Sequence, residues 1–304
     1  MPHNRQYKAF LIFEIQSKMK IATILLNYNS TDDCKKCIGY LLQQQGVQQE
    51  IIVVDNCSGN EEKNAIELFC QENGITFIAN SINSGYNAGN NVGLRYAAEQ
   101  GYEYALIANP DMEFPQKDYI YKLLQPMIAE NDIVVCGSDI VTPEGIHQNP
   151  KKREKERLAN YFRWITDFFT SKKENIPQWI EAPHESRDCR CLNGCCFAIR
   201  ISFAKEIGFF DEETFLYGEE PILGAQVEDK GKRMYYYAGA QAIHNHKKSK
   251  EGSRAFCLKH WRHSMVYGMQ RYSKMPRYKK VCARIGIESY FFILKISYLI
   301  KNIK

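Results

Sequence analysis

The first 111 residues alternate between short apolar runs and amphipathic segments, and this alternation is what most constrains the fold. Short connections separate the segments. Because parallel strands need a crossover connection, strand and helix in alternation are typical of an α/β protein. The sequence therefore predicts an α/β fold with a mostly parallel sheet flanked by helices. The predicted strands are KIATILLNYNS (20–30), EIIVVDNCS (50–58), ITFIAN (75–80) and ALIANPD (105–111).

The first predicted helix, STDDCKKCIGYLLQQQ (30–45), contains a Cys-x-x-Cys pair. A redox or zinc site would need further ligands at matching spacing, whereas helical periodicity already explains both cysteines as core residues. We predict that Ser30, Asp32 or Asp33 caps this helix. The apolar stripe comprises Cys34, Cys37, Ile38, Leu41 and Leu42.

The eleven cysteines follow no secretory signal, which favours free thiols in a reduced, cytosolic protein. Four of them lie in CRCLNGCCFAI (189–199), where alternation predicts a strand rather than a zinc cluster. They are Cys189, Cys191, Cys195 and Cys196.

Polar side chains follow three of the predicted strands, at 27–29, 55–56 and 109–111. The carboxyl ends of parallel strands share one edge of a sheet, and α/β proteins bind their ligands there. A carboxylate such as Asp111 at this edge is costly unless a partner stabilises it. The pattern therefore predicts a ligand site, and a loop carboxylate that caps a turn is the alternative for Asp111.

Five short motifs occur in order between about Ile21 and His246: NYNS, VVDN, NSGYNAGNNVG, NPD and FLYGEE. Gly85, Gly89 and Gly93 are spaced four apart, so they do not form a dinucleotide fingerprint. The set resembles the family 2 glycosyltransferases, in particular the bacterial rhamnosyltransferase-like members. That resemblance implies a GT-A fold and inverting transfer from a nucleotide sugar.

The resemblance also implies a division of the chain. It assigns 19–246 to the GT-A domain, and residues 1–18, which precede the first strand, are an N-terminal arm or an over-called start. Within that domain 19–115 bind the nucleotide and 116–246 bind the acceptor, and a basic amphipathic extension occupies 247–304. A basic helix is predicted in 151–169, and Trp179 lines an acceptor groove or belongs to the core.

Carried over by resemblance, Asn29 and Asp55 contact the base and ribose, while Asn87 and Asn90 lie near the phosphates. The full nucleotide set comprises Asn27, Tyr28, Asn29, Asp55, Asn56, Asn87, Asn90 and Asn109.

Asp111 matches the metal-binding carboxylate of the family, and His244, with His246 as the alternative, matches its metal-side histidine. Oxygen ligands suit Mg²⁺ or Mn²⁺, either of which would neutralise the departing diphosphate. Asn109 stands where many members carry another carboxylate. The metal would therefore depend on the nucleotide for much of its coordination.

Glu220 stands where the catalytic base of the family falls, and Glu219 is the alternative. Two neighbouring carboxylates repel each other, which raises one pKa and suits it to proton transfer. The alternative is a helix N-terminus with acids that complement its dipole. Ile222 replaces an aspartate common in the family, and Asp211 is expected to be a structural helix cap.

The last sixty residues contain fifteen Lys or Arg and two acids, for a net charge of +13 within a chain of +5. Their apolar run is broken by Glu288 and Lys295, so it suits a membrane surface better than a membrane span. Aromatic and basic residues are not interleaved as nucleic-acid binding requires. We therefore predict docking on anionic lipid and no nucleic-acid partner, with a solvated basic tail as the alternative.

The resemblance therefore implies a metal-dependent inverting glycosyltransferase of bacterial surface polysaccharide synthesis. The donor would be dTDP-rhamnose or a UDP-sugar, and the acceptor a lipid-linked glycan at the inner face of the cell membrane. A nucleotidyltransferase would need a Gly-rich basic loop after the first strand, which NYNSTDDC lacks. A GT-A protein that binds nucleotide sugars without catalysis is the alternative.

Overall fold

The computed structural model describes residues 20–151, 156–165, 184–246 and 254–302. The predicted N-terminal arm and Trp179 lie outside these residues, as do parts of the predicted basic helix. Within that helix the structure shows a short 3₁₀ helix, Leu158–Phe162.

The first half of the chain forms four parallel strands connected by helices, which confirms the predicted alternation. The strands lie in the order β3, β2, β1, β4. They are β1 (Lys20–Asn27), β2 (Gln48–Asp55), β3 (Thr76–Ala79) and β4 (Tyr104–Ala108). The helices between them are α1 (Thr31–Leu41), α2 (Asn60–Glu72) and α3 (Tyr86–Glu99).

Side chains alternate between the two faces of this sheet, and both faces are buried because helices pack on each of them. Ile21 and Leu25 of β1 belong to the core shared with α1 and α2. Ala22 and Ile24 belong to the core shared with α3. This arrangement explains why the strands are almost uninterrupted apolar runs in the sequence.

The core assignment for the cysteines of α1 is confirmed. Cys34 and Cys37 are fully buried, and burial raises the pKa of both thiols far above its usual value. Leu42 was wrongly included in the stripe, because α1 ends at Leu41 and leaves Leu42 53% exposed.

The predicted side-chain cap of α1 is also wrong. The Ser30 hydroxyl donates to the Tyr28 carbonyl instead. The Thr31 amide at the start of the helix donates to Glu62 Oε2 of α2, at 3.1 Å. A carboxylate distant in sequence therefore satisfies the first amide of this helix.

The second half makes the sheet mixed rather than mostly parallel. Strand β8 lies antiparallel between β4 and β6, β9 runs parallel to β6, and β5 and β7 run antiparallel to β9. The strands are β5 (Met112–Glu113), β6 (Ile133–Val141), β7 (Arg187–Cys189), β8 (Cys196–Arg200) and β9 (Arg233–His244). The helices are α4 (Tyr119–Ala129), α5 (Ile201–Glu206) and α6 (Glu219–Asp229).

The strand predicted across 189–199 is interrupted. Residues 190–195 form a loop between β7 and β8, in which the three amides of 193–195 bond to side chains rather than to a neighbouring strand. The Asn193 amide donates to Asn149 Oδ1 and the Gly194 amide to Glu220 Oε1. This loop therefore belongs to the candidate site.

The chain ends in two helices, α7 (Arg254–Tyr272) and α8 (Arg277–Asn302). They pack on each other through a small core of Met269, Ala283, Ile287 and Phe291. Arg262 of α7 forms two hydrogen bonds with Glu288 of α8, at 2.6 and 2.7 Å. No helix among the described residues combines the length and hydropathy needed to span a bilayer.

Candidate active site

Asp111, His244 and His246 meet at one edge of the sheet. Strand β5 pairs antiparallel with β9, with Met112 opposite His244. The pairing places Asp111 Oδ2 3.3 Å from His244 Nε2 and 3.1 Å from His246 Nδ1. The sequence treated the two histidines as alternatives, and the structure brings both to the carboxylate.

Two atoms of this cluster are buried without a hydrogen-bond partner among the described residues, Asp111 Oδ1 and His244 Nε2. The approach of His244 Nε2 to Asp111 Oδ2 is a close contact without hydrogen-bond geometry. Unpartnered buried polar atoms are costly, and a bound cation would satisfy both of them.

The cluster has the composition of a metal site. Its three ligand atoms lie within 4.8 Å of one another, and it is the one such His/Cys/Asp/Glu group found in the described ranges. Burial alone would raise the pKa of Asp111, but the neighbouring His244 and His246 outweigh it and lower the pKa below its usual value. A carboxylate and two imidazoles therefore fit a divalent cation.

A second carboxylate, Glu113, lies two residues after Asp111 but is engaged elsewhere. It accepts from Lys36 and from Asn245 Nδ2, the latter at 2.9 Å, and these contacts lower its pKa. Asn109 is held by its backbone, since its amide donates to the Cys195 carbonyl at 2.8 Å. Asp111 is thus the carboxylate that the strand end offers to the cluster.

The ends of β1 and β2 are tied together by buried polar side chains. Asn27 Nδ2 donates to Asp55 Oδ1 and the Ser58 amide donates to Asp55 Oδ2, both at 3.0 Å. Asn29, at a positive φ of 47°, accepts from the Gly59 amide through Oδ1 at 2.8 Å. Asp55 is fully buried, while Tyr28 is 43% exposed at the rim.

An asparagine network shapes the loop that enters α3. Asn56 Nδ2 donates to Asn83 Oδ1 at 2.9 Å, and Asn80 Nδ2 donates to Asn56 Oδ1 at 3.1 Å. Gly85 follows with a φ of 95°, and a Cβ there would lie 2.4 Å from the Phe215 carbonyl oxygen. Neither Asn80 nor Asn83 was predicted as a site residue, although the asparagine-rich run from 80 to 91 was their signal.

Asn87 and Asn90 have different surroundings at the start of α3. Asn87 Nδ2 donates to the Asp211 carbonyl at 2.7 Å, so this side chain holds the loop before α6. Asn90 Nδ2 donates to the Tyr86 carbonyl, while its buried Oδ1 has no partner among the described residues. Asn90 therefore offers a free acceptor, and Asn87 shapes the site through the 211–214 loop.

The two adjacent acids occupy the first turn of α6, as the helix-dipole alternative predicted. The helix begins after Gly218, which has a left-handed φ of 79°. Glu220 Oε1 accepts from the Gly194 amide at 2.8 Å and from Lys151 Nζ at 2.5 Å. Burial, with the charge of Glu220, raises the pKa of Glu219 to about 7. The pair therefore contains one anchored carboxylate and one that titrates near neutral pH.

Helix α7 packs directly on the loop that precedes these acids. Asp211 Oδ2 accepts from Tyr267 and Tyr272, at 2.7 and 2.5 Å, and Ser264 donates to the Leu216 carbonyl. Asp211 is thus structural, as expected, but it anchors α7 instead of capping a helix. Ile222 is 3% exposed, so apolar packing occupies the position where many family members have an aspartate.

Comparison with known proteins agrees with this geometry. Residues 23–208 match the family model described as glycosyl transferase family 2. The chain is 28% identical over 226 residues to a low-salt glycan biosynthesis hexosyltransferase, Agl10, of Haloferax volcanii, covering 74% of this chain and 67% of that protein.

Solved structures show the same fold at low identity. A Pyrobaculum calidifontis mannosyltransferase with GDP-Man and Mn²⁺ superposes with a TM-score of 0.56 at 14% identity, over 89% of this chain and 69% of that one. Staphylococcus aureus TarS 1–349 with UDP-GlcNAc gives 0.55 at 16% identity, over 87% and 70%. The predicted GT-A fold is confirmed.

Proposed function

We propose a specific reaction for this chain, which belongs to glycosyl transferase family 2 and is a glycosyltransferase that uses nucleotide-sugar donors. The donor is a UDP-sugar or dTDP-rhamnose, and the acceptor is a lipid-linked glycan of surface polysaccharide synthesis. Transfer inverts the anomeric centre and takes place at the inner face of the cell membrane. The observation that supports this most is the Asp111–His244–His246 cluster beside the polar strand ends.

Asp111, His244 and His246 would hold the divalent cation. Bound there, the cation neutralises charge on the departing nucleoside diphosphate. Two imidazoles favour Mn²⁺ over Mg²⁺, because Mg²⁺ prefers oxygen ligands. The two unpartnered atoms, Asp111 Oδ1 and His244 Nε2, are the ones such a cation would satisfy.

The acid pair supplies the base for the acceptor. In a single displacement the acceptor hydroxyl attacks the anomeric carbon, the bond to the diphosphate oxygen breaks, and a base takes the hydroxyl proton. We assign that base to Glu220, which Lys151 and the Gly194 amide hold in one orientation. Glu219, with its pKa of about 7, is the second candidate.

Helix α8 supports the proposed membrane location. Five apolar side chains of this helix, each 40–67% exposed, recur at spacings of three, four and seven. They are Tyr278, Val281, Ile285, Phe292 and Ile296. Such spacing places them on one face of the helix, opposite the face packed on α7. Basic side chains at Arg277, Lys279, Lys280, Arg284 and Lys295 accompany this apolar stripe. An amphipathic basic helix of this kind binds anionic bilayers in the plane of the interface.

The proposed donor and metal sites are tested together by thermal unfolding with UDP, dTDP or GDP, each with and without Mn²⁺. We expect one nucleotide to raise the Tm with Mn²⁺, and EDTA to remove that increase. Asp111→Asn should abolish the increase because it removes the carboxylate ligand. The matched control is Asp118→Asn, at an exposed aspartate paired with Lys122, which should keep it. An Asp111→Asn chain that responds like the native one would overturn the metal assignment.

A further inference from the structure

A four-residue segment, Gln148–Lys151, runs from the metal side of the candidate site to the acid pair. Its backbone is fixed at both ends. The Gln148 amide donates to the Ile140 carbonyl of β6 at 2.7 Å, and the Lys151 amide donates to the Cys191 carbonyl at 3.1 Å. Neither Gln148 nor Lys151 was predicted as a site residue from the sequence.

The middle of the segment is anchored as well. Asn149 is fully buried, and its Nδ2 donates to the Ser138 carbonyl at 2.9 Å. Its Oδ1 accepts from the Asn193 amide at 2.7 Å, one residue before the Gly194 amide that binds Glu220. A buried asparagine with partners on both sides leaves the segment little freedom to shift.

Gln148 determines how His244 presents its ring. Gln148 Oε1 lies 2.7 Å from His244 Nδ1 and, as an acceptor, takes a hydrogen bond from the Nδ1–H group. With the proton on Nδ1, the lone pair is on Nε2, which is the atom that faces Asp111 at 3.3 Å. A hydrogen bond of this kind fixes both the tautomer and the orientation of a ligating histidine.

Lys151 has the corresponding contact with Glu220. The ion pair is partly buried, with side-chain exposures of 24% for Lys151 and 18% for Glu220. Burial alone would lower the pKa of Lys151, but the Glu220 carboxylate outweighs it and raises the pKa above its usual value. The ammonium group and the Gly194 amide bind the same oxygen, Oε1, which restricts the carboxylate to one orientation.

We propose that Gln148–Lys151 is a positioning segment of the transferase site, in which Gln148 orients His244 as a metal ligand and Lys151 orients Glu220 toward the acceptor. The proposal rests on the proposed function. Gln148 and Lys151 act through His244 and Glu220, so they are positioning residues rather than catalytic ones. Because Asn149 fixes the segment between them, the two halves of the site keep a constant spacing.

The Gln148 contact is tested by titrating the full chain with Mn²⁺ alone in a calorimeter. Gln148→Leu removes the acceptor, and we expect Mn²⁺ affinity to fall by about tenfold or more, as for other partners of ligating histidines. Gln148→Glu keeps an acceptor oxygen and should stay within a few-fold of the native affinity. Gln43→Leu, at an exposed glutamine of another surface, is the matched control.

Native Mn²⁺ affinity in a folded Gln148→Leu chain would overturn this half of the proposal. If leucine prevents folding, Gln148→Asn gives the same test, because it withdraws the amide by one methylene group. Thermal unfolding without metal separates a lost ligand orientation from a lost fold.

The Lys151 contact is tested by the rate at which the chain releases nucleoside diphosphate from its sugar donor. The donor is the one whose nucleotide stabilises the chain. Lys151→Met should lower kcat by about tenfold or more, less than the loss of a base itself, and leave KM for the donor and Mn²⁺ affinity unchanged. Lys151→Arg should restore part of the rate. Lys122→Met, which breaks an exposed pair with Asp118, is the control.

A double-mutant cycle distinguishes positioning from general structural support. In a Glu220→Gln background, Lys151→Met should lower kcat little further, since the carboxylate that Lys151 orients is already absent. The Lys151 assignment would be overturned if Lys151→Met lowered kcat as much in the Glu220→Gln background as in the native chain. It would also be overturned if the single Lys151→Met variant kept the native kcat. If no nucleotide stabilises the chain, the proposed function fails, whereas the Mn²⁺ titration still tests Gln148 on its own.

Discussion

Glu219 is the residue whose environment predicts the clearest pH dependence. Its pKa rises from 4.5 to about 7 because it is buried beside Glu220. Between these values the unfolded chain loses the proton that the folded chain retains, so stability falls as pH rises. We expect Glu219→Gln to raise the Tm at pH 8 and to have little effect near pH 4.5. The gain is at most about 3.5 kcal/mol, at roughly 1.4 kcal/mol per pKa unit.

The matched control for this prediction is Glu61→Gln. Glu61 also lies in the first turn of a helix, α2, but it is exposed. The two variants therefore differ in burial and share the effect of the helix dipole. A Tm gain for Glu219→Gln that is equal at both pH values, or equal to that of Glu61→Gln, would contradict the raised pKa.

The site residues that were predicted from the sequence lie in short motifs, whereas those that were missed depend on contacts between distant segments. Asp111 and the Glu219–Glu220 pair lie within short motifs at the ends of elements. Lys151 binds a partner 69 residues away and Gln148 one 96 residues away, and both stand in a polar stretch without periodicity. Such contacts depend on the pairing of β6, β8 and β9, which no short segment encodes.

At the scale of elements, α8 is the helix whose amphipathic pattern predicts a measurable interaction. We expect Ile285→Asp with Phe292→Asp to weaken binding to vesicles of phosphatidylglycerol and phosphatidylcholine. Burying each native side chain in the interface contributes about 1.5–3 kcal/mol, so the double variant should lose well over tenfold in affinity. The two side chains are 57% and 65% exposed, so folding should be unaffected.

The control adds one negative charge, as a single Ile285→Asp substitution does, but leaves the stripe intact. Ser297 is exposed on α8, about a third of a turn from the stripe, and Ser297→Asp adds one negative charge there. We expect it to bind these vesicles nearly as well as the native chain, and co-sedimentation measures both. If Ser297→Asp and a single Ile285→Asp substitution lowered the affinity for vesicles equally, charge alone would determine binding.

The elements that were predicted correctly have a pattern visible within one segment. Strands β1, β2 and β4 are apolar runs, and α1 to α3 have helical periodicity, so local sequence was sufficient. The direction of β8 and its insertion between β4 and β6 follow from packing between distant segments. The same holds for the short β5, whose two residues place Asp111 beside β9.

For the whole molecule, the C-terminal extension contacts the candidate active site as well as carrying the proposed membrane-binding stripe. Tyr267 and Tyr272 of α7 bond to Asp211, and Phe215 packs on Phe256 and His260. These contacts hold the loop that leads into the acid pair. The predicted boundary at residue 246 therefore separates segments of the sequence that the fold joins.

This packing predicts that two changes to the extension have different effects. A chain ending at His246 loses the α7 contacts as well as the stripe. We expect its Tm to fall by about 5 °C or more, because two hydrogen bonds to a carboxylate contribute roughly 1.5–3 kcal/mol each. Donor hydrolysis, which needs no membrane, should fall with it because the loop before Glu219 is no longer held. The Ile285→Asp, Phe292→Asp chain should hydrolyse the donor at the native rate. Native hydrolysis by the shortened chain would contradict a role for α7 in holding the loop before Glu219.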